Sequence, residues 1–227
     1  MTTIPELGRE AHDPHVLTDA QLAGLLRRTP WRRVVGLGDS VVAGVREPVP
    51  GYRHLSWLDR LAAAWSMAVP RASLHNLGWP DLTAAQVREA QLQPALDLRP
   101  DLALVVAGGN DLLRRGFDPG ALQLDLLALI APLRDAGITV LTMDLLDITV
   151  SGHVPEQHRA AMSARLVQFC DVTRAVAAQH GAIHVRLRDH PAAEDPSIFS
   201  RDGLHLNVRG HAIVAAEVGR ALSAAVP

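Results

Sequence analysis

The sequence predicts an α/β fold, a parallel β-sheet enclosed between two layers of helices as a three-layer α/β/α sandwich. Short runs rich in Val, Leu and Ile alternate along the chain with longer stretches whose apolar residues recur at helical spacing. Those longer stretches suffice for crossover helices, which makes neighbouring strands parallel and their connections right-handed. The chemically unusual residues come directly after the apolar runs (GDS, NLG and GGND), where sheets of this kind bind ligands, outside the carboxyl ends of their strands.

The elements follow in order. Residues 1–30 read as an N-terminal appendage: an opening stretch without periodicity, then a short helical pattern (Leu22, Leu25, Leu26) begun at Thr18 and stopped by Pro30. Residues 31–227 read as one domain. Strands are expected at 34–38, 72–77, 102–107, 138–143 and 182–186, with helices at 53–68, 83–97, 120–136 and 156–180 between them. A last helix, 208–224, takes Asn207 as its N-cap. The longer segment 144–155, containing Gly152 and Pro155, is placed to border a cleft.

Composition narrows the function. Of 227 residues, 48% are apolar and 20% charged, the balance of a globular chain with a filled core. A formal charge of −2 gives no broad attraction for nucleic acid or anionic lipid, so a small neutral substrate fits better. One cysteine, Cys170, allows no intrachain disulfide and reads as a buried small hydrophobe on a helix. Glu6, Glu10 and Asp13 stand where an export signal would carry positive charge, and no long uninterrupted apolar run occurs, so the expectation is a cytoplasmic protein without stable membrane association.

Ser40 follows the first apolar run in VVGLGDSVVAG. Taken alone, Gly38-Asp39-Ser40 is explained more simply by a strand-to-helix turn with a capping Asp or Ser. The neighbouring Gly36-Leu37-Gly38 begins like a dinucleotide fingerprint, but Val41 stands where its third glycine belongs. A GxSxG elbow fails too, because Val41 and Val42 follow the serine. A serine becomes a nucleophile only with a base in reach. Asp202-Gly203-Leu204-His205 can supply one: a carboxylate three residues before an imidazole can turn back to its Nδ1 and leave Nε2 for the serine, although a polar turn before the last helix is the plainer alternative. Asn110 in GGND and Gly78 in NLG offer an amide and a backbone N–H for an oxyanion, or simply two turns. What favours chemistry is their placement on loops along one edge of the predicted sheet.

With these blocks in order (GDSVVAG, NLGWPDLT, GGND and DGLHLNVRGH) the chain resembles the SGNH hydrolases, also called GDSL esterases and lipases, over roughly residues 33–225. The resemblance implies a flavodoxin-like five-stranded parallel sheet. It also implies a Ser40, His205, Asp202 triad and an oxyanion hole from the Ser40 and Gly78 amides with the Asn110 side chain. It calls for no cofactor and no metal. The implied activity is hydrolysis of a small-molecule carboxylic ester, with short acyl chains favoured by the low aromatic content. Acyl transfer by the same residues and a non-enzymatic ligand-binding module are the rivals.

Two positions depart from the family pattern: Asp81 where a further glycine is frequent, and Val42 where Thr or Ser is frequent. Trp79, beside Gly78, is a candidate wall for an acyl pocket or simple packing. The 11 histidines form no HExxH or Cys/His spacing and read as surface groups, His12/His15 and His180/His184 included. Arg159, Arg165 and Arg174 read as the solvated face of the helix 156–180.

Overall fold

The computed structural model describes residues 8–226. Residues 1–7 of the N-terminal appendage and residue 227 lie outside the described residues. The elements run α1 (Gly8–His12), α2 (Asp19–Leu26), β1 (Arg33–Gly38), α3 (Ser40–Ala43), α4 (Trp57–Ala68), β2 (Ser73–Asn76), α5 (Ala84–Asp97), β3 (Leu102–Val106), α6 (Gly109–Leu113), α7 (Pro119–Asp135), β4 (Thr139–Met143), α8 (Glu156–Gln179), β5 (Ile183–Val185) and α9 (Val208–Ala224).

All five strands are parallel, in the order β2-β1-β3-β4-β5, which is the flavodoxin-like order. The pleat sends alternate side chains to opposite layers. Val34, Leu102, Leu104 and Leu141 pack with Leu58 and Leu61 of α4 and Ile213 and Val218 of α9. Val35, Ala103, Val105 and Val140 face the other way, against Val87 of α5, Leu129 of α7 and Phe169 of α8. The chain leaves β1 for β2 on one side and returns to β3 on the other, so the strand order reverses at β1. The crevice this opens lies at the carboxyl ends of β1 and β3.

Side-chain caps set several helix starts. Thr18, Ser56 and Thr83 each form a capping box with the residue three positions on, and the Asn207 side chain accepts from the Arg209 and Gly210 amides. The box at Ser56 places the start of α4 at Trp57, later than the periodicity of 53–68 suggests.

Three short helices lie outside the sequence expectations. Helix α1 falls in the aperiodic opening stretch and is fixed by one side chain rather than by an apolar stripe. Glu10, 9% exposed, accepts from Arg60, itself 3% exposed, and from Arg53. Helices α3 and α6 follow β1 and β3, and each begins at or beside a residue of the site.

Candidate active site

The carboxyl end of β1 is built for a tight turn. A Cβ on Gly38 would stand 2.0 Å from the Val106 carbonyl oxygen and 2.5 Å from Val42 Cγ2, so only glycine lets β1 lie this close to β3. Both backbone polar groups of Gly38 are satisfied by the buried Gln91 side chain of α5, at 2.8 and 2.9 Å. Asp39 then caps α3, its Oδ1 accepting from the Val41 N–H at 3.0 Å. Two further donors anchor the turn: the Trp57 indole N–H reaches the Val41 carbonyl at 2.8 Å, and the Asn76 amide reaches the Val42 carbonyl at 2.9 Å. Ser40, the first residue of α3, has no intrahelical acceptor for its own N–H.

The opposite wall is the loop before α9. His205 Nε2 lies 2.9 Å from Ser40 Oγ, and His205 Nδ1 lies 2.7 Å from Asp202 Oδ2. The other Asp202 oxygen accepts from the Leu204 and His205 amides at 2.9 and 3.0 Å. Partial burial raises the affinity of Asp202 for a proton, but the hydrogen bond to His205 and these two amides outweigh it and hold the carboxyl below its ordinary value. The sequence therefore brings Ser40, His205 and Asp202 into one line of hydrogen bonds. The carboxylate can hold Nδ1–H while Nε2 accepts the serine proton.

Asn110, in the first turn of α6, borders the same cavity. One of its two amide hydrogens goes to the Leu82 carbonyl at 3.0 Å, which leaves the second for a ligand. Gly78 departs from expectation. Its N–H already donates to Asn76 Oδ1 at 2.8 Å in an Asx turn, and it does not border the cavity, so as placed it offers no hydrogen to an oxyanion. The glycine serves contact instead: a Cβ would stand 2.4 Å from the Ala43 nitrogen and 2.7 Å from the Val42 carbonyl carbon. Asp81 takes a left-handed backbone, φ 65°, the conformation in which glycine is at ease.

The cavity beside Ser40 measures about 90 Å³ and its walls are mostly apolar, among them Met143, Leu146, Leu166, Leu187 and Val214. As anticipated, residues of the 144–155 segment (Leu145, Leu146, Ile148) border it. Trp79 does not; it is 69% exposed. The aromatic walls are Phe199 and Trp57, the latter marked by periodicity only as helical.

Three polar groups are buried here, of which the sequence marks only Asp39, as a helix cap. Burial pushes the Asp39 carboxyl up to about 6, with the Val41 N–H and His205 opposing that rise and Asp111 adding to it. His211 is pushed down to about 4 by burial and is neutral. Its Nδ1 accepts from the Trp57 N–H, so Nε2 carries the hydrogen and donates to the Val45 carbonyl. Asp144, fully buried, pairs with His184 at 3.0 Å and Arg174 at 3.4 Å. His184, its side chain 10% exposed, is thus not the surface group expected of it, while Arg174 stays on the solvated face and reaches in to Asp144. Cys170 is buried as expected, and burial raises its thiol to about 12, out of reach of thiolate chemistry.

The chain belongs to the GDSL-like lipase/acylhydrolase family, whose model matches residues 37–213, and it is accordingly an ester-hydrolysing enzyme. Solved structures share the fold. LAE5, an α/β hydrolase from the metagenome of Lake Arreo, Spain, is 22% identical, with 87% of this chain and 97% of that one covered and a TM-score of 0.70. The lipase/acylhydrolase from Enterococcus faecalis is 20% identical (86% and 97% covered, TM-score 0.67). Axe2, an acetylxylan esterase from Geobacillus stearothermophilus, is 16% identical (84% and 94% covered, TM-score 0.66). No curated protein matches the chain. Among the described residues no helix is long and apolar enough to cross a membrane.

Proposed function

We propose that this enzyme hydrolyses carboxylic esters of short aliphatic acids through an acyl-enzyme on Ser40. The observation that carries the reading is the unbroken Ser40–His205–Asp202 line of hydrogen bonds opening on an apolar cavity. His205 Nε2 takes the proton of Ser40 Oγ as that oxygen bonds to the ester carbonyl carbon. Asp202 holds the imidazolium, and the carbonyl oxygen, now negative, is met by the Ser40 N–H and the free hydrogen of the Asn110 amide. The imidazolium returns its proton to the departing alcohol. Water, deprotonated by the same imidazole, then releases the acid and restores the serine.

Acyl length follows from the cavity. At about 90 Å³ it is smaller than the apolar cavity of roughly 150 Å³ that accommodates benzene, which supports acyl groups of a few carbons. With Gly78 committed to Asn76, the developing charge depends on two donors, and Asn110 carries more of it.

A panel of p-nitrophenyl esters of rising chain length tests mechanism and size together. Ser40→Ala is expected to lower kcat by about 10⁴-fold or more, and Asn110→Ala by about 10²- to 10³-fold with little change in KM. Hydrolysis that survives Ser40→Ala would remove the serine from the mechanism. Rates that climb steadily to long chains would refute the size reading. Ester products formed with an added alcohol would reveal acyl transfer.

A further inference from the structure

We propose that Asp13 is a positioning residue of this site, acting through Arg209 on the loop that carries Asp202 and His205. The proposal rests on the hydrolytic reading above and adds to it a residue outside the stretch that the family model matches.

The loop is closed on itself. Phe199 and Leu206 form an antiparallel bridge, the Ser200 N–H donates to the His205 carbonyl at 2.7 Å, and the Asn207 N–H donates to the Ile198 carbonyl at 2.9 Å. The Asn207 amide further ties the Ser197 and Phe199 carbonyls at 2.7 and 2.9 Å. A loop so cross-linked moves as one piece, and the imidazole goes wherever its base, residues 195–198 and 207–209, is held.

Arg209 holds that base. Its Nη1 donates to Asp195 Oδ2 at 2.5 Å and to Ser197 Oγ at 2.9 Å, while its Nε donates to Asp13 Oδ2 at 2.7 Å. The planar guanidinium fixes the angle between these partners. Asp13 is itself immobilised: its side chain is 3% exposed, the Tyr52 hydroxyl donates to Oδ2 at 2.6 Å, and the His15 N–H donates to Oδ1 at 3.0 Å. The strap bearing it is seated by Glu10, whose N–H reaches the Gly51 carbonyl at 3.0 Å and whose carboxylate lies on Arg53 and Arg60. The path from Asp13 to the base of the loop therefore contains one side chain, and every link is a hydrogen bond. Without Asp13, Arg209 keeps Asp195 as its remaining ion-pair partner, and the guanidinium is free to turn toward it and carry the base along. Asp13, Arg209, Asp195 and Ser197 do not line the cavity, whereas Phe199, Leu204, His205 and Leu206 of the loop do, so the consequence falls first on the chemical step through His205 and reaches substrate binding only through the loop's apolar side chains.

The test compares wild type, Asp13→Asn, Asp13→Glu and Ser197→Ala on p-nitrophenyl butyrate, at a temperature well below the lowest melting point of the set. Small misplacement of a reacting pair costs up to about 10²-fold, so Asp13→Asn is expected to lower kcat about 10-fold, with a smaller change in KM. Labelling of Ser40 by a fluorophosphonate should slow in parallel. Asp13→Glu, which restores the charge, is expected to recover most of the loss, and Ser197→Ala to lose about 3-fold. Wild-type kcat in folded Asp13→Asn, with only a lower melting temperature, would overturn the proposal. Should Asp13→Asn not fold, wild-type kcat in Ser197→Ala would do the same. Activity that persists in Ser40→Ala would instead overturn the hydrolytic reading.

Discussion

Asp39 is the residue with the largest conflict between its two tasks. As a cap it must hold the Val41 N–H; as a carboxyl it is 2% exposed, in a crevice with a second acid, Asp111, nearby. Its affinity for a proton rises on folding, from 3.8 to about 6. The folded state therefore binds the proton more tightly between those values, and stability falls as pH rises through that window and stays lower above it. Asparagine caps as well as aspartate and carries no charge. Asp39→Asn is therefore expected to raise the melting temperature at pH 8 relative to wild type, by up to about 3 kcal/mol in stability, and to lose this advantage near pH 4. Melting curves at the two pH values measure it, and an equal shift at both would refute the assignment. At this scale Ser40, Asp202 and His205 were readable because their motifs fix both residue type and neighbours. The fate of the Gly78 N–H was not, because it depends on which way the Asn76 side chain turns.

At the scale of elements, period reveals strands and long helices but not single turns. The five strands and the long helices stand within a few residues of the expected spans, because each has a face in one of two apolar layers. Helices α3 and α6 span four and five residues, too short for any periodic signal, yet they present Ser40 and Asn110. The caps Asp39 and Gly108 mark where these helices begin only once the ends of β1 and β3 are known. Helix α3 is held from behind by Trp57, Asn76 and the close approach of Gly78. Gly78→Ala would drive a methyl group into the backbone of Val42 and Ala43, which cannot move aside as a flexible side chain would. The expected cost is about 1–3 kcal/mol in stability together with a fall in kcat as Ser40 shifts. Thermal melts and kinetics on one preparation check both. A stable, fully active variant would mean that the loop relaxes.

On the scale of the whole molecule, the reversal of strand order at β1 explains why residues as far apart in sequence as Ser40, Asn110 and His205 share one crevice. That convergence was foreseeable from the α/β alternation. The involvement of residues 8–17 was not, since Glu10 and Asp13 attach by ion pairs and the apolar contacts of Val16 and Leu17 are too few to leave a period. Arg60, 3% exposed, has Glu10 as its ion-pair partner among the described residues. Removing one member of a buried pair strands the other charge. Glu10→Gln is therefore expected to cost about 3–5 kcal/mol, read by denaturant titration. A loss under about 1 kcal/mol would show that water reaches Arg60 and solvates it.

The contacts of Glu10 also bear on how this polypeptide can be cut or fused. A version trimmed to the homologous segment that begins at Leu37 would sever β1 itself. Even one trimmed to the strand boundary at Arg33 would leave a guanidinium sealed inside without its counter-ion. Purification tags and reporter fusions belong upstream of Gly8, and an inactive shortened protein would testify to a damaged fold before it said anything about chemistry.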